Sequence, residues 1–105
     1  MLFDSNVLIR YLDGDTEIVE QLTSWRREGR AFVVSAITVA EVLSLEDLSN
    51  REVEKIKEFL ATFVAVPFDS VVADLAARCR RVYGLGLPDA AIAATAMILK
   101  LPLAT

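Results

Sequence analysis

Three carboxylate side chains in this sequence stand apart from the other charges. Asp4, Glu41 and Asp89 are each the only charged residue in their segment, and these segments run over residues 1–9, 31–45 and 82–99. Burial of an ionised carboxylate is costly unless the group is paired or hydrogen-bonded. Each acid therefore needs N–H donors, a cationic side chain from elsewhere in the chain, or a metal ion. Because hard divalent cations prefer carboxylate oxygens, the three acids form a candidate metal site.

Each acid also has an ordinary structural explanation, and these explanations differ in strength. Asp4 comes directly before Ser5 and Asn6 at a predicted helix start, where aspartate commonly caps the helix. Asp89 lies in the first turn of a predicted helix, where free N–H groups favour negative charge. Glu41 shares a helix face with apolar residues, whereas a solvated glutamate usually has polar neighbours. Glu41 therefore favours a functional site most strongly, and Asn6 is either a cap residue or a contact to the water shell of a metal.

The composition excludes several other kinds of chemistry. The 105 residues include no histidine and one cysteine, Cys79, which excludes Ser-His-Asp and Cys-His mechanisms, a Cys/His zinc site and an internal disulfide. A single cysteine fits a reducing cytoplasm. The most apolar segment, Ala90–Leu99, has about half the length of a membrane span. We therefore expect a soluble cytoplasmic protein with no membrane partner.

The charge balance limits how the chain could bind nucleic acid. Asp and Glu number 15 against 11 Lys and Arg, which gives a net charge of -4. This balance argues against binding by bulk charge, although a local basic patch could still act. Arg78, Arg80 and Arg81 form such a cluster. Its ordinary interpretation is a solvated helix face, and the alternative is contact with RNA phosphates.

Short apolar runs that could form strands alternate with helical patterns. The runs are Leu2–Phe3, Ala31–Val34, Phe63–Val66 and Leu101–Ala104. Strands separated by helices should be parallel with right-handed crossovers, and active sites on such sheets lie at the carboxyl ends of the strands. The sequence therefore predicts an α/β fold in which Asp4 follows the first strand at this edge.

Helix limits and a possible interface can also be predicted. A cap at Asp15, a capping box formed by Ser49 and Glu52, and a helix end at Gly84 follow from residue type and spacing. The length fits one compact domain, and the hydrophobic content of 54% exceeds what a small domain usually needs for its core. We therefore expect an interface with a partner.

The candidate residues lie in four segments with a recognisable order. The segments are Leu2–Ile9, Ser35–Val42, Leu87–Ala96 and Leu103–Thr105. Each one alone would be weak, but their order and separations resemble those of the PIN-domain ribonucleases. The resemblance is closest to the VapC-type toxins of bacterial and archaeal toxin–antitoxin pairs, and it covers essentially the whole chain.

The resemblance implies a fold, an activity and partners. The fold is a PIN-like three-layer α/β/α arrangement with a central parallel sheet of about four strands flanked by helices. The activity is that of a Mg²⁺- or Mn²⁺-dependent endoribonuclease, with Asp4, Glu41 and Asp89 as metal-binding and catalytic acids and with Asn6 and Thr105 as polar pocket residues. The implied partners are an RNA substrate, a cognate antitoxin protein and a second copy of the chain. Since the family carries a further Asp or Asn shortly after the position of Thr105, we expect residues 1–105 to be a single PIN-like domain that lacks its C-terminal end.

Two other functions are compatible with the same residues. The first is a catalytically impaired PIN-like scaffold that binds protein or RNA, which the high apolar content favours. The second is a receiver-like phospho-acceptor domain, which also has acids at strand ends. The receiver interpretation is weak because it needs a lysine at the end of a late strand, whereas Lys100 precedes the last predicted strand.

Overall fold

The computed structural model describes residues 1–104 and contains four strands and six helices within them. Two helices fill each connection between successive strands, so each of the first three strands is followed by a helical pair before the chain returns to the sheet. The elements in chain order are β1 (Leu2–Phe3), α1 (Ser5–Leu12), α2 (Thr16–Arg27), β2 (Val33–Ser35), α3 (Ala36–Leu43), α4 (Asn50–Leu60), β3 (Val64–Val66), α5 (Ser70–Tyr83), α6 (Leu87–Leu99) and β4 (Leu103–Ala104).

The four strands form one parallel sheet in the order β3-β2-β1-β4. Leu2 pairs with Val33 and Phe3 pairs with Val34, so β1 occupies a central position. This confirms the predicted α/β class and the parallel sheet of four strands. β1 has the predicted length, whereas β2, β3 and β4 are each shorter than the predicted apolar run. Residues just before these strands still contribute single hydrogen bonds, such as the one that the Ala31 carbonyl accepts from the Met1 amine at 2.7 Å.

Successive residues of each strand point to opposite faces of the sheet, and both faces are covered by helices. Phe3 and Val34 belong to a core that also contains residues of α1, α2, α3 and α4. Leu2 and Val33 point the other way and pack against Ile92 of α6. The three predicted layers are therefore present, with α6 on the opposite side of the sheet from the helices of the first core.

An aromatic cluster fills the centre of the larger core. The Phe3 ring, which is fully buried, lies 4.6 Å from the Phe32 ring and 5.5 Å from the Phe63 ring between centroids. Trp25 of α2 contacts Phe3 edge-on at 5.9 Å. The Arg26 guanidinium covers the outer face of Phe32 at 3.8 Å. These contacts fix β1, and with it the position of Asp4 at the end of that strand.

Small residues hold α5 and α6 together on the other side of the sheet. Ala76 and Cys79 of α5 are buried against Ala90 and Ala94 of α6. Alanine at these positions allows the two helix backbones to approach closely, as the alanine-rich sequence of α6 indicates. Gly84 ends α5 with a φ of 67°, a left-handed conformation that glycine adopts without a steric penalty.

Two helix starts follow their predicted caps. Asp15 accepts a hydrogen bond from the Ile18 amide at the start of α2, and Ser49 and Glu52 form both hydrogen bonds of a capping box at the start of α4. These contacts lower the pKa of both carboxyls. The Asp15 shift comes first from a side-chain hydrogen bond with Arg10, and the Glu52 shift comes first from the Ser49 backbone amide.

No single helix among residues 1–104 has the length and apolar composition needed to cross a membrane. The α5–α6 pair passes that test of length and composition only when both helices are taken together, and it is bent by 116°.

Candidate active site

Three helices position the predicted acids around one edge of the sheet. Helix α1 begins directly after β1 and helix α3 begins directly after β2, so both start at the carboxyl edge of neighbouring parallel strands. Helix α6 ends just before β4 and packs across the sheet through Ile92, which places its first turn near the same edge. Helix α3 packs against both α1 and α6. The fold therefore places α3, which carries Glu41, in contact both with α1, which Asp4 caps, and with α6, which carries Asp89.

Asp4 caps the N-terminus of α1, as its position before Ser5 and Asn6 predicts. Its Oδ1 accepts a hydrogen bond of 3.0 Å from the Val7 amide, and its own amide donates to the Ala104 carbonyl at 3.3 Å. The side chain is half-buried. Since a carboxylate has two oxygens that each accept several hydrogen bonds or a cation, capping through Oδ1 is compatible with metal binding through Oδ2.

Glu41 has the most unusual environment of the three acids. The residue as a whole is half-buried, but its Oε1 is inaccessible to solvent and has no hydrogen-bond partner within residues 1–104. The salt bridges within this range join other residues, namely Arg10 with Asp15, Arg30 with Glu28 and Lys57 with Glu54. A buried carboxylate oxygen without a donor is unfavourable, so this atom is suited to receive a cation or a hydrogen bond from water.

Asp89 is more exposed than the isolation of its charge in the sequence suggests. It lies in the first turn of α6, close to the N-terminal end of the helix dipole, and solvent reaches it freely. Because water can solvate the Asp89 carboxylate, this residue does not need a cation or a hydrogen-bond donor from the protein, in contrast to Glu41. Asn6 is likewise exposed, in the first turn of α1, and the predicted pocket residue Thr105 lies outside the described residues.

Within residues 1–104, no group of three or more His, Cys, Asp or Glu side chains has the spacing needed to hold a metal ion. The structure brings the three supporting helices together, but the three carboxylates do not form a closed ligand set. The feature that fits a divalent cation is the unpartnered Oε1 of Glu41, because a hard cation prefers such an oxygen. The three-acid ligand set stays a prediction.

The three predicted RNA-contacting arginines do not share one surface. Arg80 and Arg81 line a shallow groove of about 520 Å³ at the C-terminal end of α5, together with Leu85 of the α5–α6 loop. The Arg80 Nε donates to the Leu85 carbonyl at 3.4 Å, which directs this side chain toward the loop that precedes Asp89. Arg78 lines a different groove, beside Met97 of α6.

One residue of the site that the charge pattern did not single out is Thr38. It is fully buried on α3, three positions before Glu41, and its Oγ1 also has no hydrogen-bond partner within the described range. The only indication in the sequence is the three-residue spacing between Thr38 and Glu41, which places both side chains on one face of the helix. The sequence gives no sign that the hydroxyl is buried, because burial depends on the packing of α3.

Comparison with known proteins places this architecture among described folds. A profile of the PIN domain family matches residues 1–105 of the chain. A comparison with curated proteins gives no match.

Solved structures resemble the chain over nearly its whole length. A toxin–antitoxin complex from Klebsiella pneumoniae has 32% identity and a TM-score of 0.86, and the match covers 99% of this chain and 83% of that chain. FitAcB from Neisseria gonorrhoeae has 30% identity and a TM-score of 0.75, with 99% and 85% covered. VapBC2 from Rickettsia felis, solved with a DNA fragment from their promoter, has 17% identity and a TM-score of 0.82, with 99% and 84% covered, which is a likeness of fold alone.

Proposed function

The chain belongs to the PIN domain family, and from that premise we propose that it is a metal-dependent endoribonuclease that acts as the toxin of a toxin–antitoxin pair. PIN domains are generally nucleases and generally use divalent metal ions. The proposal adds to this the RNA substrate, the cation Mg²⁺ or Mn²⁺, and the residues of this chain that carry the reaction.

The observation that carries the proposal is the buried, unpartnered Oε1 of Glu41. A buried carboxylate oxygen without a donor destabilises the metal-free chain, and a bound cation would remove that cost. Asp4, the cap of α1, and Asp89, on α6, would complete the ligand set with Glu41, because α3 contacts both of these helices. When bound, the cation would activate a water molecule for attack on a phosphodiester and neutralise charge on the phosphate.

The remaining proposed residues bind and orient the RNA. Asn6, at the start of α1, and Thr105 are the proposed polar lining of the pocket. Arg80 and Arg81 are proposed at the rim, because they line the groove at the C-terminal end of α5 beside the loop that precedes α6. Because the chain carries a net charge of -4, we expect RNA to bind weakly until the cation is present, so that cation and RNA bind cooperatively.

The proposed protein partners are an antitoxin and a second copy of the chain. Two of the similar solved structures at 30% identity or more are a toxin–antitoxin complex and FitAcB, which supports an antitoxin partner. We propose that the tail of this antitoxin would place a basic side chain among the carboxylates. Large apolar side chains exposed on α5 and α6 support a homodimer. They are Val71, Val82, Tyr83, Leu87, Met97, Ile98 and Leu99. We place the protein in the cytoplasm, where RNA and antitoxin are available.

The enzymatic proposal is tested by incubating the purified chain with total cellular RNA. We expect cleavage in Mg²⁺ or Mn²⁺, loss of cleavage in chelator and recovery when Mn²⁺ is added in excess. Asp4→Asn and Glu41→Gln should each abolish cleavage, whereas Glu58→Gln, at an exposed acid on α4, should leave it unchanged. Full cleavage in chelator, or wild-type cleavage by Glu41→Gln, would contradict the proposal.

A second candidate function is a scaffold that binds partners without cutting RNA. The exposed apolar side chains of α5 and α6 favour it, and so does the open arrangement of the three acids in the described residues. Asp4→Asn separates the two functions. Loss of RNA cleavage with retained partner binding supports the enzyme, and absence of cleavage by the wild-type chain in any divalent cation supports the scaffold.

A further inference from the structure

Two side-chain atoms stand out among the polar groups of residues 1–104. The Thr38 Oγ1 and the Glu41 Oε1 are buried and have no hydrogen-bond partner in this range. Buried polar groups in proteins are nearly always hydrogen-bonded, so two such atoms on one short helix call for a common explanation. Both lie on α3, three residues apart.

Other helical hydroxyl groups in the chain avoid this situation through a local hydrogen bond. The hydroxyls of Thr23 and Thr95 each donate to the carbonyl four residues earlier, at 2.7 Å. Thr38 is the third residue of α3, and the residue four positions earlier is Val34, which belongs to strand β2. The usual acceptor therefore lies in the sheet and not in the helix, which leaves the Thr38 hydroxyl available for another acceptor.

The chemistry of the two atoms is complementary. A threonine hydroxyl can donate a hydrogen bond, whereas an ionised carboxylate oxygen only accepts. Residues three apart on a helix are neighbours on its surface, with Cβ atoms about 5–6 Å from each other, so their side-chain oxygens can come within reach of one bridging water. A buried water is stable when it has at least two polar partners, and these two atoms supply them.

We propose that Thr38 is a positioning residue for Glu41, and that its hydroxyl fixes the Glu41 carboxylate through one buried water bound to both side chains. This proposal rests on the proposed metal-dependent function. Because a carboxylate oxygen can accept more than one contact, Oε1 can bind this water and a cation at the same time. The water holds the carboxylate in the rotamer that presents its free lone pairs to the cation, so the Thr38 hydroxyl contributes to cation affinity without contacting cation or RNA. Groups that orient metal ligands in this way typically change metal affinity about 10–100-fold when they are removed.

The test uses two substitutions at Thr38 and one control in the full chain. Thr38→Val keeps the shape of the side chain and removes the hydroxyl, Thr38→Ser keeps the hydroxyl, and Thr95→Val removes a buried hydroxyl that has a local partner. The dissociation constant for Mn²⁺ is measured by calorimetry, and circular dichroism verifies that each variant is folded. We expect Thr38→Val to weaken Mn²⁺ binding about 10-fold, with Thr38→Ser and Thr95→Val close to wild type.

The metal-free melting temperature supplies a readout with opposite signs for the two explanations. A hydroxyl that lacks any partner destabilises the fold, so its removal in Thr38→Val would raise the melting temperature. A hydroxyl bound to the bridging water stabilises the fold, so its removal lowers the melting temperature. A crystal structure at high resolution should show this water within hydrogen-bond distance of both atoms.

The outcomes separate this proposal from the proposed function. If the wild-type chain binds Mn²⁺ and Thr38→Val binds it equally well with a raised melting temperature, the role of Thr38 is overturned while the metal site stands. If Thr38→Ser fails to restore binding that Thr38→Val has lost, the hydroxyl is not the cause and the proposal is overturned. If the wild-type chain binds no Mn²⁺, the proposed function is overturned together with the role of Thr38.

Discussion

Replacement of Glu41 by glutamine should change the stability of the chain in opposite directions with and without a divalent cation. Glutamine has nearly the size of glutamate, so packing on α3 is preserved, while the negative charge at the buried Oε1 is removed. In chelator the variant no longer has to bury part of an ionised carboxylate. We therefore expect Glu41→Gln to be more stable than the wild-type chain under metal-free conditions.

The size of the metal-free effect follows from the partial burial of Glu41. A buried polar group without a partner costs about 1–3 kcal/mol, and a charged group costs more. Glu41 is only half-buried, and a single bridging water would still leave Oε1 with fewer hydrogen bonds than in bulk solvent, so we take the lower end, about 1 kcal/mol. For a chain of 105 residues this corresponds to a melting temperature about 4 °C higher for the variant.

Addition of Mn²⁺ should reverse the order of the two proteins. A ligand that binds only the folded state at about 100 times its dissociation constant stabilises that state by about 2.7 kcal/mol. The wild-type chain should therefore gain about 11 °C in Mn²⁺, while Glu41→Gln gains little.

The assay is thermal unfolding followed by circular dichroism, in chelator and in a series of Mn²⁺ concentrations. Glu58→Gln, an exposed substitution of the same type on α4, should behave like the wild-type chain in both conditions. The proposed role of Glu41 would be contradicted by two results together. The first is a melting temperature of Glu41→Gln in chelator that is no higher than that of the wild-type chain, and the second is an equal rise of both melting temperatures in Mn²⁺.

Three further outcomes follow from the contacts of the fold. Phe3→Ala removes the central ring of the aromatic cluster and should destabilise the chain by about 3–5 kcal/mol in urea unfolding, with full retention of stability as the contrary result. The pKa values of Asp15 and Glu52 are lowered in the folded chain, so the unfolded chain binds more protons in the pH range below their ordinary pKa values of 3.8 and 4.5. The free energy of unfolding should therefore fall as the pH drops through this range. A free energy of unfolding that stays constant from pH 6 to pH 3 would contradict this. Arg80→Ala should raise the KM for RNA and reduce the salt dependence of that KM, whereas Arg27→Ala, on α2, should leave both unchanged. Equal effects of the two substitutions would exclude a specific role in RNA binding for the groove that Arg80 lines.

Much of the fold was predictable because its determinants are local in the sequence. The apolar run at Leu2–Phe3, the cap at Asp15 and the capping box of Ser49 and Glu52 each depend on a few neighbouring residues, and the structure contains all of them. The alternation of short strands with longer helices was enough to predict a parallel sheet with helical crossovers. The assignment of α6 to the opposite face from the other core helices required the three-dimensional packing, since its alanine-rich sequence does not identify a single buried side.

The environments of the candidate site residues could be predicted only in part. Isolation of charge in the sequence identified Glu41 correctly as partly buried, but the same pattern also selected Asp89, which is exposed because it lies at the open start of α6. Arg78 and Arg80 are close in the chain yet face different grooves, because each helical residue turns about 100° relative to the previous one. Thr38 could not be selected from its type, since its importance comes from the missing local acceptor and from its burial.

The central claim is that the Oε1 of Glu41 binds a divalent cation together with Asp4 and Asp89. The most direct measurement is a crystal of the chain soaked in MnCl₂, with anomalous scattering recorded for Mn²⁺. The account predicts a strong peak within coordination distance of Glu41 Oε1 and of at least one of the two aspartates, and no such peak in crystals of Glu41→Gln. An ordered Glu41 carboxylate with no peak beside it, or an unchanged peak in the variant, would contradict the account.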